Sequence, residues 1–149
     1  MKISQNGINL IKKFEGIRYK PYKCPAGLWT VGVGHLIEGG KSLPKSWDRT
    51  FTESEVDLIL RQDLIRFEKG VIKLFPASYQ FTQGMFDSLC SFAFNGGVGL
   101  LQRSSVRSAL LRGDKDMAGK ALLKYNRGGG RILPGLVRRR EAEYKLLMK

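Results

Sequence analysis

The sequence predicts an α+β fold, and three observations carry that prediction. An amphipathic segment ending in glutamate opens the chain. Alternating and β-forming residues around a turn follow over 18–33, and from residue 53 onward the periodicity is helical almost throughout. This pattern describes a small hairpin-bearing N-terminal lobe, a long helix and an all-helical C-terminal lobe. With 149 residues, 42% of them hydrophobic, the chain makes a single domain of 1–149. Its lobes are expected at about 1–55 and 75–149, with the connecting helix over 53–74.

Taken in order, Ser4 reads as an N-cap, and Ile8, Leu10, Ile11 and Phe14 form one apolar stripe that stops at Gly16. Lys12 and Lys13 in the last turn suit the helix dipole; Glu15 beside them does not. A carboxylate so placed is either a solvated helix end or a group with chemistry to do. Arg18 to Lys23 alternates large and basic residues, Cys24-Pro25-Ala26-Gly27 is turn chemistry, and Leu28 to Val33 is rich in β-formers. Such a hairpin can fold Cys24 and Thr30 back towards the carboxylate. Gly32 and Gly34 suggest close backbone approach; with no third glycine and no lysine in place, they do not make a phosphate loop.

Thr52-Glu53-Ser54-Glu55 fits a capping box, and Val56, Ile59, Leu60, Asp63, Leu64, Phe67 and Val71 continue a helical pattern to Leu74. That helix is about 30 Å long, and Pro76 stops it. Thr82 caps a segment, MFDSLCSFAF, that is apolar nearly all round and therefore central, and Asn95-Gly96-Gly97 ends it. Two short helices follow, one capped by Ser104 or Ser105 and one by Asp114. Asn126 to Arg131, with three consecutive glycines, reads as a mobile loop. Pro134-Gly135 opens a last helix with Val137, Tyr144, Leu147 and Met148 inward and Arg138, Arg139 and Arg140 outward.

The 26 Lys+Arg against 13 Asp+Glu give a net charge of +13, concentrated in the first and last thirds. A field of that sign draws the protein to polyanions: nucleic acid, anionic lipid or acidic wall polymer. No apolar run reaches the roughly 20 residues of a membrane span, and the N-terminus lacks a signal-peptide core. A cytoplasmic protein is expected. Cys24 and Cys90 are too few for a disulfide framework, and with one histidine no metal site is expected. Cys90, inside the central helix, reads as an inert core thiol.

Glu15, Cys24 and Thr30 stand at Glu, eight residues, Cys, five residues, Thr, and Val31-Gly32-Val33-Gly34-His35 follows at once. Together with SFAFNGGVG at 91–99 and LPGLVRRREAE at 133–143, this resembles the phage-type lysozymes, the endolysins of glycoside hydrolase family 24, over essentially the whole chain. The resemblance implies a lysozyme-like two-lobed fold that hydrolyses the β-1,4 bond between N-acetylmuramic acid and N-acetylglucosamine in peptidoglycan, in a cleft between lobes, without a cofactor. Glycoside hydrolysis by inversion needs a proton donor at the glycosidic oxygen and a water on the opposite face. The resemblance makes Glu15 the general acid and has Cys24 and Thr30 position or activate the water. A general acid must hold its proton at working pH, which desolvation or a helix C-terminus favours.

Cys24 stands where the two-carboxylate scheme has aspartate. A thiol near its ordinary pKa of ~8.5 is only a few per cent ionised at pH 7, and Lys20 and Lys23 are the nearby cations that would lower it. Water-positioning group, thiolate base and covalent nucleophile all stay open for it. The resemblance further implies a structural ion pair between His35 and Asp63, and substrate contacts from Leu36, Phe94, Asn95 and Ser105. It implies a monomer that leaves the host cytoplasm through a pore-forming partner. Rival readings are a lytic transglycosylase on the same bond and a basic nucleic-acid-binding protein, the latter opposed by the lack of any recognised nucleic-acid motif. A third adds contact between the basic C-terminal helix and an anionic outer membrane.

Overall fold

A computed structural model describes all 149 residues. The elements are helix α1 (Gln5–Glu15), strands β1 (Arg18–Lys23), β2 (Trp29–Gly32) and β3 (His35–Leu36), then helices α2 (Glu53–Lys73), α3 (Gln83–Gly96), α4 (Val98–Gln102), α5 (Ser105–Leu111) and α6 (Lys115–Leu123). A short hairpin of β4 (Arg127–Gly128) and β5 (Arg131–Ile132) precedes the last helix, α7 (Pro134–Leu147). They divide into two compact units, Ile11–Ile65 and a second made of Met1–Leu10 with Arg66–Lys149.

The unit Ile11–Ile65 holds the antiparallel sheet β1-β2-β3. Tyr22 pairs with Thr30 and Arg18 with Gly32, so four steps along β1 span two along β2. The irregularity contains Pro21, which has no N–H to give a ladder, and a bulge of this kind bends the strand. Ile11, Val31, Val33, Ile37, Phe51, Val56, Leu60 and Leu64 are the buried hydrophobic side chains of this unit. Gly32, in left-handed conformation at φ +68°, puts its backbone where an added Cβ would stand 3.6 Å from the Val56 methyl. The capping box at the start of α2 is formed in full: the Glu55 N–H donates to Thr52 Oγ1 at 3.1 Å, and the Thr52 N–H donates to Glu55 Oε1 at 2.9 Å. Arg49 makes a bidentate pair with the same carboxylate, which holds Glu55 down at about 2.

The second unit is built on α3, whose residues Met85 to Ala93 are all buried. Thr82 caps it, accepting from the Met85 N–H at 3.1 Å, and the chain leaves it through Gly97 at φ +95°. Helix α7 lies close against it: a Cβ at Gly84 would stand 2.1 Å from the Leu146 carbonyl oxygen. The first ten residues belong to this unit and not, as expected, to an N-terminal lobe of 1–55. Polar contacts fix them there. The Ile3 N–H donates to buried Glu68, and the Ser4 N–H and hydroxyl both donate to Asp87 on α3.

Three further expectations need correction. Helix α4 occupies 98–102, directly after the glycines taken only as the end of α3. The stretch expected as a mobile loop is the β4–β5 hairpin, turned by Gly129 and Gly130 in left-handed conformation and closed by the Leu133 N–H on the Asn126 carbonyl. Arg139 and Arg140, expected outward, are 3% and 2% exposed, leaving only Arg138 of the run at the surface. They turn inward because Glu143, one turn on and completely buried, gives both guanidiniums a partner.

Candidate active site

The site is built in the unit Ile11–Ile65, where α1, the sheet and the first turns of α2 converge in sequence and charge. Helix α1 ends on Glu15, and Gly16 follows it in left-handed conformation at φ +81°, its N–H on the Lys12 carbonyl. A glycine here turns the chain out of the helix and into β1 at no steric cost. Glu15 is thus left at the very end of α1, exposed. Lys12, one turn back, is directed to α2: its ammonium lies 2.5 Å from Glu53 and 2.7 Å from Asp57. Those two carboxylates raise the Lys12 ammonium against the opposing effect of burial.

Cys24 and Thr30 meet at the tip of the β1–β2 hairpin. The tip is closed by the Cys24 N–H on the Leu28 carbonyl (2.9 Å) and the Gly27 N–H on the Cys24 carbonyl (2.8 Å), with Pro25 second in the turn and Gly27 left-handed. Thr30, 3% exposed, donates its hydroxyl to the Leu28 carbonyl at 3.0 Å. The half-buried Cys24 thiol is pushed below its ordinary value. The leading causes are hydrogen bonds from the backbone of Leu28 and then Ala26, opposed by burial. Turn backbone, and not Lys20 or Lys23, therefore tunes this sulfur. Cys90 is its opposite: buried in α3, it is pushed far upward by desolvation.

His35 follows on β3, opposite Val31, and its Nδ1 lies 2.9 Å from Asp63 Oδ2 on α2. Its ring stacks on Trp47 (centroids 5.7 Å apart, planes at 16°), and Trp47 in turn packs on Phe51. The pair ties the sheet to α2, and the aromatic stack seats the long loop between them. Leu36 beside it is 41% exposed and presents an apolar side chain to solvent.

The remaining expected residues lie in the other unit. Phe94 is half-buried, edge-on to Phe67 at 5.1 Å. Asn95 is exposed on the last turn of α3 and accepts a hydrogen bond from Arg140. Ser105, exposed, is the first residue of α5; Ser104 supplies the cap, and the Ser105 N–H donates to the Tyr125 hydroxyl at 3.3 Å. Asn95 lines a cavity of about 500 Å³ together with Leu100, Lys124, Tyr125, Arg127 and Arg140. Of these, Arg140 was assigned to the surface from sequence; the acid three residues further on was the signal that it turns inward.

These features have relatives. Residues 12–143 match the family described as phage lysozyme. The chain is 41% identical over 150 residues to the endolysin of Bacillus phage B103, an alignment covering 99% of this chain and 54% of that protein. It spans about half the length of the curated relatives it matches first. Among solved structures, a point variant of the lysozyme of phage P22 superimposes with a TM-score of 0.86 at 30% identity, over 100% of this chain and 99% of that one. The muramidase domain of SpmX from Asticaccaulis excentricus gives a TM-score of 0.83 at 32% identity, over 99% and 98%. Fold and site define a lysozyme-like protein. The chain belongs to the phage lysozyme family.

Proposed function

We propose that the chain acts as an endolysin, hydrolysing the β-1,4 bond between N-acetylmuramic acid and N-acetylglucosamine in peptidoglycan. The observation that carries this reading is a hairpin whose tip lowers the Cys24 thiol through backbone donors and holds a buried threonine, on strands that follow, after Gly16 and Ile17, a helix ending on an exposed carboxyl. Family membership and relatives named endolysin and muramidase support the same substrate.

In this mechanism Glu15 donates its proton to the glycosidic oxygen as the bond to the anomeric carbon breaks. The cation-like centre is met on its far face by a water. Thr30 holds that water through its hydroxyl oxygen, and Cys24, in the thiolate form that its lowered thiol favours, takes the proton the water gives up. A lowered thiol suits a base better than an ordinary one, because a larger fraction is thiolate at neutral pH. Glu15 then recovers a proton from solvent and Cys24 releases one to it. Leu36, Phe94, Asn95 and Ser105 contact the glycan, Phe94 offering an apolar wall and Asn95 an amide. The His35–Asp63 ion pair is structural. No helix is long and apolar enough to cross a membrane, and a pore-forming partner gives the enzyme its route from the host cytoplasm to the wall. Contact of α7 with an anionic outer membrane rests on Arg138 and Lys145, with Lys149 just beyond the helix, all exposed; dye release from anionic vesicles tests it.

The test of the reaction is the chemistry of new chain ends. Purified peptidoglycan digested by the protein should yield reducing muramic ends by mass spectrometry. Anhydro-muramic ends would make it a transglycosylase, and no new ends would remove the reading.

A further inference from the structure

The guanidinium of Arg140 is held on every side. Nε donates to the Tyr125 carbonyl at 2.7 Å, Nη1 to Glu143 Oε1 at 2.5 Å, and Nη2 to Asn95 Oδ1. Its face lies 4.7 Å over the buried Phe92 ring. Glu143 is itself fixed by the Ser91 hydroxyl and by Arg139. The fork therefore has no freedom to follow a ligand.

A guanidinium has donors only, so a side-chain amide beside it must turn its oxygen inward; the opposite flip would press N–H against N–H. Asn95 is exposed on the cavity wall, and with Oδ1 taken by Arg140 its outward face is the amide NH₂. That group donates and cannot accept. A position of this kind recognises an oxygen acceptor and rejects a donor, because a mismatched ligand leaves polar groups unpaired.

We propose that Arg140, locked by Glu143, is a positioning residue that fixes Asn95 as a donor-only contact for a carbonyl oxygen of the bound glycan, the acetamido oxygen of an N-acetylated sugar. This rests on the muramidase reading and adds to it the polarity of one contact and the residue that sets it. Arg140 is not a catalytic residue here: it acts through Asn95.

The experiment compares initial rates on soluble glycan strands and on the same strands chemically de-N-acetylated, for the wild type, Asn95→Asp, Arg140→Lys and the double variant. Asn95→Asp pairs with Arg140 and presents no donor. On acetylated strands it should raise KM about tenfold, the cost of one lost and mismatched hydrogen bond, with kcat within about twofold. On de-N-acetylated strands, whose free amines are ammonium groups at neutral pH and pair with a carboxylate, its KM should be no higher than that of the wild type. Arg140→Lys keeps the charge and loses the fork; it should raise KM on acetylated strands severalfold. The double variant should show the KM of Asn95→Asp alone, since nothing is left to orient. Equal KM increases on both substrates, or effects that multiply in the double variant, would overturn the proposal. Should Arg140→Lys not fold, the two KM values of Asn95→Asp decide by themselves. A wild type that releases no reducing ends would instead sink the muramidase reading, an outcome separable from all of these.

Discussion

Removing the Glu143 carboxylate tests the buried charge cluster that organises the second unit. Glu143 is fully buried and accepts from the Ser91 hydroxyl (2.5 Å), Arg140 Nη1 (2.5 Å) and Arg139 Nε (3.2 Å). Burial drives this carboxyl upward while Arg140, Ser91 and Arg139 draw it down. Glu143→Ala leaves two guanidiniums without their anion inside the protein. Breaking a buried pair in this way costs about 3–5 kcal/mol. Arg139 keeps the Ser91 carbonyl and Arg140 the Tyr125 carbonyl, which places the expected loss at the lower end, about 3 kcal/mol. For a chain of this length that is a fall in Tm of about 10 °C. Urea unfolding followed by circular dichroism should show the midpoint displaced at unchanged slope. Glu143→Gln separates charge from shape and should lose nearly as much as Glu143→Ala. If it were as stable as the wild type, the carboxyl would be protonated in the folded protein and the ion-pair reasoning would be refuted.

Three shorter predictions concern local structure. Thr52→Ala removes one half of the capping box of α2 and should cost about 1 kcal/mol, read as a drop in Tm of a few degrees. Gly84→Ala drives a methyl into the Leu146 carbonyl and should destabilise severely by the same measurement; unchanged stability would mean that α3 and α7 are not in close contact. Because the folded thiol of Cys24 is lowered, its thiolate fraction grows at lower pH than that of a free thiol. Iodoacetamide should therefore modify Cys24 with a pH midpoint below the ordinary ~8.5 while buried Cys90 stays unmodified until unfolding. Alkylation of Cys24 with the pH profile of free cysteine would remove the base role.

Local chemistry was legible wherever a signal and its partner lie close in the chain. Thr52 and Glu55, Thr82 and Asp114 mark helix starts through contacts within one turn, and Pro134 does so through its fixed φ at the first helical position. The hairpin of Cys24 and Thr30 was readable from proline, glycine and β-formers for the same reason. What failed depends on partners far away or on elements too short to show a period. The first ten residues join the second unit through Glu68 and Asp87, some 65 and 83 positions on. Helix α4 has five residues, and β4 and β5 have two each, too few to set a pattern against the glycines around them. Arg139 and Arg140 look like surface residues by type. Their burial follows from Ser91 and Tyr125 as much as from Glu143. At the site, position alone left Glu15 ambiguous, and only the family resemblance pointed to it as an acid; the inward turn of Arg140 had Glu143, three residues on, as its one local signal.

The most direct measurement is the release of reducing muramic ends from purified peptidoglycan by Glu15→Gln beside the wild type, with both proteins shown to be folded by their thermal transitions. Glutamine keeps the shape and removes the transferable proton, so release by the variant should fall at least a hundredfold while its Tm stays within a few degrees. A folded Glu15→Gln that cuts glycan at the wild-type rate would contradict the account.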